Sequence, residues 1–155
     1  MTWSARAVAY TDPDAQVLIG ELDDDMVARY GGKDATTVAP QQFAAPHGIF
    51  VVASDERGLI GCAGLRATDE VAPGDIELKR MYVRASRRRE GHAVRLLVAL
   101  EEHSRARGFS RIILETGSPQ HEAIAFYESA GFEPIPNFGY YKEDELSRCF
   151  GKRLS

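Results

Sequence analysis

Residues 77–115 constrain the fold more than any other part of this sequence. They open with a strand-like run, 77–83, and continue through an arginine-rich loop to a helical pattern that starts after Gly91. Gly108 is a typical helix stop, and the apolar run 111–115 is again strand-like. A strand, a helix and a second strand in this order predict a parallel strand pair joined by a right-handed crossover.

The start of that helix lacks the residues that normally cap a helix. Ser, Thr, Asp or Asn usually accept the first free backbone N–H groups. Here the preceding residues are Arg88, Arg89, Glu90 and Gly91. A bound anion can supply the missing cap, and the helix dipole favours it. From the residues alone, a phosphate site and a solvated turn capped by water fit equally well. Neither a P-loop nor a dinucleotide glycine fingerprint is present.

The same segment resembles a known family. Residues 88–93, Arg-Arg-Glu-Gly-His-Ala, are similar to the Gln/Arg-x-x-Gly-x-Gly/Ala signature of the GNAT N-acetyltransferases. Further segments at 115–117 (Glu-Thr-Gly), 122–127 (Glu-Ala-Ile-Ala-Phe-Tyr) and 130–132 (Ala-Gly-Phe) stand at the family's usual spacing. The resemblance covers roughly the C-terminal half of the chain and implies an acetyltransferase that uses acetyl-CoA as co-substrate.

The predicted elements favour an α/β fold with a mixed sheet and helices on both faces. Strands are expected at 4–10, 49–53, 59–66 and 146–154, and helices from Asp12 to Gly31 and from Gln120 to Ser129. Loops are expected at 33–47, with one short helix, and at 134–143. Gly61 and Gly64 indicate a bulge or a close backbone approach. The resemblance implies a mostly antiparallel sheet of the GNAT type, with its parallel pair splayed at the coenzyme site. One domain, 1–155, is expected.

The resemblance also implies which residues hold the coenzyme. The backbone amides of 88–93 would cradle the pyrophosphate, and the backbone of 81–83 would pair with the peptide-like pantetheine arm. Glu90 departs from the family, which often has a basic residue there, and Gln120 stands where many members have Asn. The implied cofactor-binding residues are Met81, Tyr82, Val83, Arg88, Arg89, Glu90, Gly91, His92, Ala93, Gln120 and Phe126.

Glu77 and Tyr127 are the candidate catalytic residues. Strand alternation places Glu77 on one face with Lys79, Met81 and Val83. A carboxylate there is either paired, with Lys79 or Arg80, or functional as a general base acting directly or through water. From the residues alone Tyr127 is a core aromatic. The resemblance implies that it lies near the acetyl-CoA sulfur and protonates the departing thiolate.

Charge is distributed unevenly along the chain. The net charge is −4, and a basic cluster follows residue 78: Lys79, Arg80, Arg84, Arg87, Arg88, Arg89 and Arg95. Along the sequence only Glu90 opposes this cluster, so we expect a polyanion to bind there. The acidic N-terminal helix and the loop with Phe138, Tyr140 and Tyr141 are expected to line the pocket of a cationic acceptor.

The expected activity is transfer of the acetyl group to a primary amine by direct attack in a ternary complex. The acceptor would be a small amine, an amino acid or a peptide. An acyl-CoA-binding regulatory module without turnover is the alternative. A nucleic-acid binder is disfavoured because the basic run is short and the protein is acidic overall. No membrane partner and no metal are expected. Cys62 and Cys149 are expected to be buried thiols in a cytoplasmic protein, and the sequence leaves monomer and homodimer open.

Overall fold

The computed structural model describes residues 2–36 and 38–155. Its strands are β1 (Ser4–Val8), β2 (Gly48–Asp55), β3 (Gly58–Arg66), β4 (Asp75–Val83), β5 (Arg111–Gly117), β6 (Glu133–Ile135) and β7 (Ser147–Arg153). Its helices are α1 (Pro13–Tyr30), α2 (His92–Ala106) and α3 (His121–Ser129), with 3-10 turns at Pro40–Phe43 and Ala85–Arg87. The strands form one sheet in the order β1-β2-β3-β4-β5-β7-β6.

The sheet is antiparallel except where β4 meets β5, which confirms the predicted fold class. The parallel pairing covers only Asp75–Glu77 of β4 against Arg111–Ile113 of β5. Beyond it, β4 runs on to Val83 beside β3, and β5 runs on to Gly117 beside β7. The two strands therefore diverge, as the splayed pair in the prediction requires.

The ends of α1 follow from its sequence. The Asp12 carboxylate accepts hydrogen bonds from the amides of Asp14 (2.9 Å) and Ala15 (3.4 Å). Gly31, at φ 81°, ends the helix in the left-handed conformation that glycine adopts readily. Among the helices within residues 2–36 and 38–155, none is long and apolar enough to cross a membrane.

The segment after α3 departs from the prediction. Residues 134–143 were expected to form a loop, but the structure has a short strand, β6, which pairs Ile135 with Cys149 of β7. Three residues that include a proline are too few to show an alternating pattern, so the sequence carries little signal for this edge strand.

The sheet has an apolar cluster on each face. Helices α2 and α3 cover one face, where Leu96, Leu97 and Leu100 pack against Ile76 and other strand residues. Helix α1 covers the opposite face, where Leu18 packs in a cluster with Phe50, Cys62 and Tyr82. Cys62 and Cys149 are both buried free thiols, as expected.

A bulge at Arg80 inverts the alternation of β4. Arg80 has φ 58°, and the pairing register with β3 shifts between Cys62 and Gly64. Before the bulge, Leu78 points toward α2; after it, Met81 and Val83 do so. The expectation that Glu77 shares a face with Met81 and Val83 is therefore wrong, because the bulge inserts one extra residue into the strand.

Two glycines of β3 permit close approaches, as predicted. A Cβ on Gly61 would clash with the carbonyl oxygen of Tyr82 in β4, directly beside the bulge. A Cβ on Gly64 would lie 2.6 Å from the Phe43 ring. The first contact is with backbone, which cannot rotate away, whereas the second is with a side chain.

We expect Gly61→Ala to lower the free energy of unfolding by more than about 2 kcal/mol, since overpacking against backbone forces β3 and β4 apart. Gly20→Ala is the matched control: Gly20 lies within α1, and its Cβ would meet nothing within 4 Å. That variant should gain roughly 0.5–1 kcal/mol, because alanine is the better helix former. Urea unfolding of both variants measures the difference. An unchanged midpoint for Gly61→Ala would contradict the close approach.

Candidate active site

A cavity of about 290 Å³ opens where β4 and β5 diverge. Helix α1 contributes Leu22, Met26 and Tyr30 to its wall, and the two strands contribute residues 78–81 and 114–117. Helix α3 closes the other side with Tyr127. The cavity thus connects the two faces of the sheet at the carboxyl ends of its parallel strands, where ligands bind in open sheets of this kind.

The first turn of α2 presents free backbone amides. Gly91 occupies the N-cap position at φ 81°, and no side chain caps the helix. The Glu90 carboxylate is held by the Nη1 of Arg57 at 3.2 Å and by the Nε2 of His92 at 2.8 Å. Its charge is therefore partly compensated, which weakens the repulsion that a carboxylate would exert on an anion at the start of α2.

The basic cluster is largely neutralised by acidic residues distant in sequence. The expectation that only Glu90 opposes it is wrong, because α1, the loop after α1 and β2 place carboxylates beside it. The pairs are Arg84 with Glu21 (2.7 Å), Arg87 with Asp55, Arg88 with Asp25 (3.8 Å) and Lys79 with Asp34 (2.7 Å). Exposed Arg89 has no ion pair within the described part of the chain.

The residues assigned to the coenzyme separate into two groups. Met81, Gln120 and Tyr127 line the cavity together, whereas residues 88–93 form the α2 start outside the lining. The ring of Tyr82 points to the α1 side, and its hydroxyl lies 3.3 Å from Glu21. Phe126 packs edge-on against Tyr127, with ring centroids 5.2 Å apart.

Val83 has a role in the turn before α2. Its carbonyl oxygen accepts a hydrogen bond from the Nε of Arg88 at 3.0 Å. This contact ties the end of β4 to the loop, so the carbonyl is already engaged where the sequence analysis placed a contact to pantetheine.

Tyr127 presents a protonated hydroxyl to the cavity. Its oxygen lies 3.6 Å from the Met81 sulfur, and its ring packs against Phe132 with centroids 5.5 Å apart. Burial raises the pKa of Tyr127 above its ordinary value. The phenol therefore keeps its proton at neutral pH and remains available as a donor.

Glu77 forms a buried ion pair, but with neither Lys79 nor Arg80. Its carboxylate accepts a hydrogen bond from the Nε of Arg66 at 2.9 Å, and both side chains are less than a tenth exposed. Arg66 lies directly opposite Glu77 in the β3–β4 register and also donates to Gln42. Glu77 lines a smaller cavity beside Phe138, Tyr140 and Tyr141. It does not line the cavity between β4 and β5, which is the main cavity of the site.

Glu115 is a candidate that the sequence analysis did not assign. It lines both cavities, and the Ser147 hydroxyl donates to it at 3.4 Å. Among residues 2–36 and 38–155 it has no ion pair. Burial, only partly offset by nearby Lys79, raises the pKa of Glu115 to about 7. The sequence signal that could have identified Glu115 is a single carboxylate directly after the apolar run 112–114.

Lys79 and Arg80 share one carboxylate. The Nζ of Lys79 lies 2.7 Å from Asp34 Oδ2, and the Nη1 of Arg80 lies 3.8 Å from the same oxygen. Burial disfavours the charge of Asp34, but Lys79 outweighs it and holds the pKa of Asp34 well below its usual range. In the described ranges no three His, Cys, Asp or Glu residues are placed to bind a metal ion.

Comparisons with known proteins agree on one family. Residues 12–132 match the sequence profile described as "Acetyltransferase (GNAT) family". An "IAA acetyltransferase" of Azospirillum brasilense is 35% identical over 137 residues, which cover 88% of each chain.

Solved structures share the fold over nearly the whole chain. A Klebsiella pneumoniae protein described as an acyl-CoA N-acyltransferase is 30% identical, with a TM-score of 0.79 and 99% and 98% of the two chains covered. The PaiA N-acetyltransferase of Thermoplasma acidophilum, solved in complex with coenzyme A, is 16% identical with a TM-score of 0.74, covering 99% of each chain. At that identity the second likeness concerns the fold alone.

The raised pKa of Glu115 makes a prediction about stability. Its ordinary value is 4.5 and its folded value about 7, so the folded state binds the proton more tightly. The associated stability is complete below the ordinary value and is lost as pH rises through about 7. Glu115→Gln, which cannot ionise, should therefore gain stability relative to wild type between about pH 4 and pH 8.

Melting temperatures across this pH range provide the test, with about 2–4 °C expected per kcal/mol for a protein of this size. Glu77→Gln is the control with the opposite sign, because it leaves Arg66 buried without its carboxylate and should destabilise the protein at neutral pH by about 3–5 kcal/mol. A pH-independent difference between Glu115→Gln and wild type would contradict the raised pKa.

Proposed function

The chain belongs to the GNAT acetyltransferase family, and from this membership we propose that it transfers the acetyl group of acetyl-CoA to a primary amine. The observation that carries the proposal is the cavity between β4 and β5, which brings a tyrosine hydroxyl and a carboxylate of raised pKa together between the two faces of the sheet. The amine attacks the thioester directly within a ternary complex.

The coenzyme is proposed to enter from the α2 side. Its pyrophosphate would bind the free amides at the start of α2, where the helix dipole favours negative charge. The pantetheine arm would then follow β4 into the cavity, past Met81 and Gln120. Coenzyme A bound to the Thermoplasma acidophilum protein of the same fold supports this choice of co-substrate.

The acceptor is proposed to enter from the α1 side. Most aliphatic amines are protonated at neutral pH, so the attacking nitrogen must first lose a proton. Positioning of the two substrates supplies much of the rate increase. After attack, the thiolate leaves and Tyr127 donates its proton to it, a role that its protonated hydroxyl in the cavity supports.

Two carboxylates are candidates for the proton acceptor. Glu77 remains the assignment made from the sequence, and it would act through water in the smaller cavity. We assign direct proton removal to Glu115, because it lines the main cavity without an ion pair from the described residues. A base works best when its pKa lies near the working pH, and burial raises the pKa of Glu115 to about 7.

Acetyl-CoA at about a hundredfold over its Kd should stabilise the protein by roughly 2.7 kcal/mol, visible as a rise in Tm. Gly91→Glu should abolish this rise, since it places a carboxylate where the pyrophosphate binds. A Cβ at Gly91 meets nothing within 4 Å, so the substitution adds only the strain of a positive φ.

Gly108→Glu is the matched control for that strain. Gly108 has φ 84°, also has open space around it, and lies at the far end of α2. It should lose about as much stability as Gly91→Glu and keep the response to acetyl-CoA. If Gly91→Glu bound the coenzyme normally, the phosphate site would lie elsewhere; if wild type showed no response, coenzyme use itself would be refuted.

Release of free thiol from acetyl-CoA with a panel of amines measures turnover. Glu115→Gln should lower kcat about 10²–10⁴-fold with coenzyme binding intact. In wild type kcat should rise with pH through about 7, because Glu115 accepts a proton only when it is ionised. This rise of kcat near pH 7 should be absent in Glu115→Gln. Tyr127→Phe should cost less, since a thiolate with a thiol pKa of about 8.5 leaves without much assistance.

Glu77→Gln distinguishes the two carboxylates. We expect a smaller loss of kcat per folded molecule than for Glu115→Gln, together with the lower Tm described above. If Glu77→Gln instead showed the 10²–10⁴-fold loss, and Glu115→Gln retained activity and the rise of kcat near pH 7, the proton acceptor would be Glu77. Coenzyme binding without thiol release for any amine would indicate a binding module.

A further inference from the structure

The Arg80 guanidinium is buried in the cavity wall and makes no hydrogen bond to the part of the chain that the structure describes. Its side chain is 8% exposed and it lines the main cavity. Within residues 2–36 and 38–155 its Nε has no hydrogen-bond partner, and no other hydrogen bond from the guanidinium is present. Its nearest carboxylate oxygen, Asp34 Oδ2, lies at 3.8 Å, which is beyond hydrogen-bond distance.

Both carboxylate oxygens of Asp34 already accept hydrogen bonds. Its Oδ2 accepts from the Nζ of Lys79 at 2.7 Å, and its Oδ1 accepts from the Thr36 amide at 2.8 Å. Two cations thus face one carboxylate, and Arg80 is the one that makes no hydrogen bond to the described residues. A buried charge in this state is unfavourable unless water or a ligand in the cavity supplies the missing hydrogen bonds.

The backbone holds Arg80 in this position at a cost. Its φ of 58° lies in the left-handed region, which a residue with a long side chain rarely occupies. The bulge leaves Arg80 on the same side of β4 as Lys79, facing α1. Strain of this kind persists where the surrounding structure enforces it, and it is concentrated at ligand sites.

We propose that the acceptor amine also carries a carboxylate, which binds the Arg80 guanidinium while the amine lies at Glu115. This inference rests on the proposed acetyl transfer and narrows its substrate to amino acids and similar amino-carboxylates. A guanidinium offers parallel N–H donors that match a carboxylate in a bidentate pair. The coenzyme phosphates have their own site at the start of α2, so Arg80 is free for the acceptor.

The cavity has the layout that such a substrate needs. Arg80 lies on β4 and Glu115 on β5, so opposite charges line the cavity from two strands. The Lys79–Asp34 pair is self-compensated and adds little net charge. Because the volume of about 290 Å³ must also receive the acetyl end of the coenzyme, the amino-carboxylate is a small one.

The test compares free amino acids with their carboxamides, which keep the shape and lose the charge. For wild type, kcat/KM should favour the acid by about 10–100-fold, mostly through KM. The amide's amine is the less basic of the two, so this preference cannot arise from a larger share of free amine. Arg80→Gln should remove the preference, because its loss of kcat/KM toward the acid should exceed that toward the amide by about the same 10–100-fold. Arg80→Lys keeps the charge but loses the parallel N–H donors of the guanidinium. Its preference for the acid should lie between those of wild type and Arg80→Gln.

Arg6→Gln is the control for loss of a positive charge, since Arg6 lies on β1, three strands away from β4. It should keep the wild-type preference. Arg80→Gln should also melt no lower than wild type without ligands, because it removes a charge that makes no hydrogen bond to the described residues. A Tm drop of many degrees would make Arg80 structural and overturn the proposal.

Equal kcat/KM for acid and amide in wild type would also overturn it, as would equal loss toward both in Arg80→Gln. A preference for amino-phosphates over amino-carboxylates would show that the acceptor's anionic group is a phosphate, and it would overturn the carboxylate assignment. Calorimetric titration of amino acids and amides into the coenzyme A complex measures binding without turnover. Absence of acetyl transfer to any amine would therefore refute the proposed function, while selective binding of the acid that is lost in Arg80→Gln would still support the carboxylate site.

Discussion

The divergence of β4 and β5 is the feature on which the rest of the structure depends. The strands pair only at their start, because β3 holds β4 along one edge and β7 holds β5 along the other. The bulge at Arg80 turns the free end of β4 further from regular pairing. A gap in the middle of a sheet leaves backbone groups that no neighbouring strand satisfies, which is unfavourable without a ligand. In this protein the gap becomes the cavity, and it connects the α2 side to the α1 side.

Charge is balanced between distant parts of the chain. Helix α1 is acidic and the loop before α2 is basic, and folding places Glu21 against Arg84 and Asp25 near Arg88. The arginines therefore stabilise the packing of α1 more than they attract an anion from solution. The start of α2 keeps a set of free amides, with exposed Arg89 beside it. The phosphate site proposed there would consist of backbone amides and need no particular side chain, so Glu90 is compatible with it.

Around the cavity, polar groups differ in how completely they are paired. Glu77 and Arg66 neutralise each other in the interior, so this ion pair links β3 to β4 and has a structural role. Glu115 has a hydroxyl as its partner, and Arg80 has no hydrogen bond to the described residues. Both line the main cavity, whereas Glu77 does not. Incompletely paired groups lower stability, and functional sites are one place where proteins retain them.

The sequence by itself determined the elements whose signals are local. Asp12 and Gly31 mark the ends of α1, and the 3.6-residue apolar pattern defines α2, since each signal lies within a few residues. The missing cap at Gly91 is an equally local signal, and it predicts an anion site. Only the tertiary structure decided the pairing of the charged residues. Asp34 reaches Lys79 from 45 residues away, and Arg66 reaches Glu77 through strand register. Gly61 and Gly64 indicate an irregularity in β3, but nothing in the sequence places the extra residue at Arg80 of β4, and the inverted face of β4 and the site of Arg80 follow from that bulge. Such contacts depend on how strands align and loops close, which is a property of the whole fold.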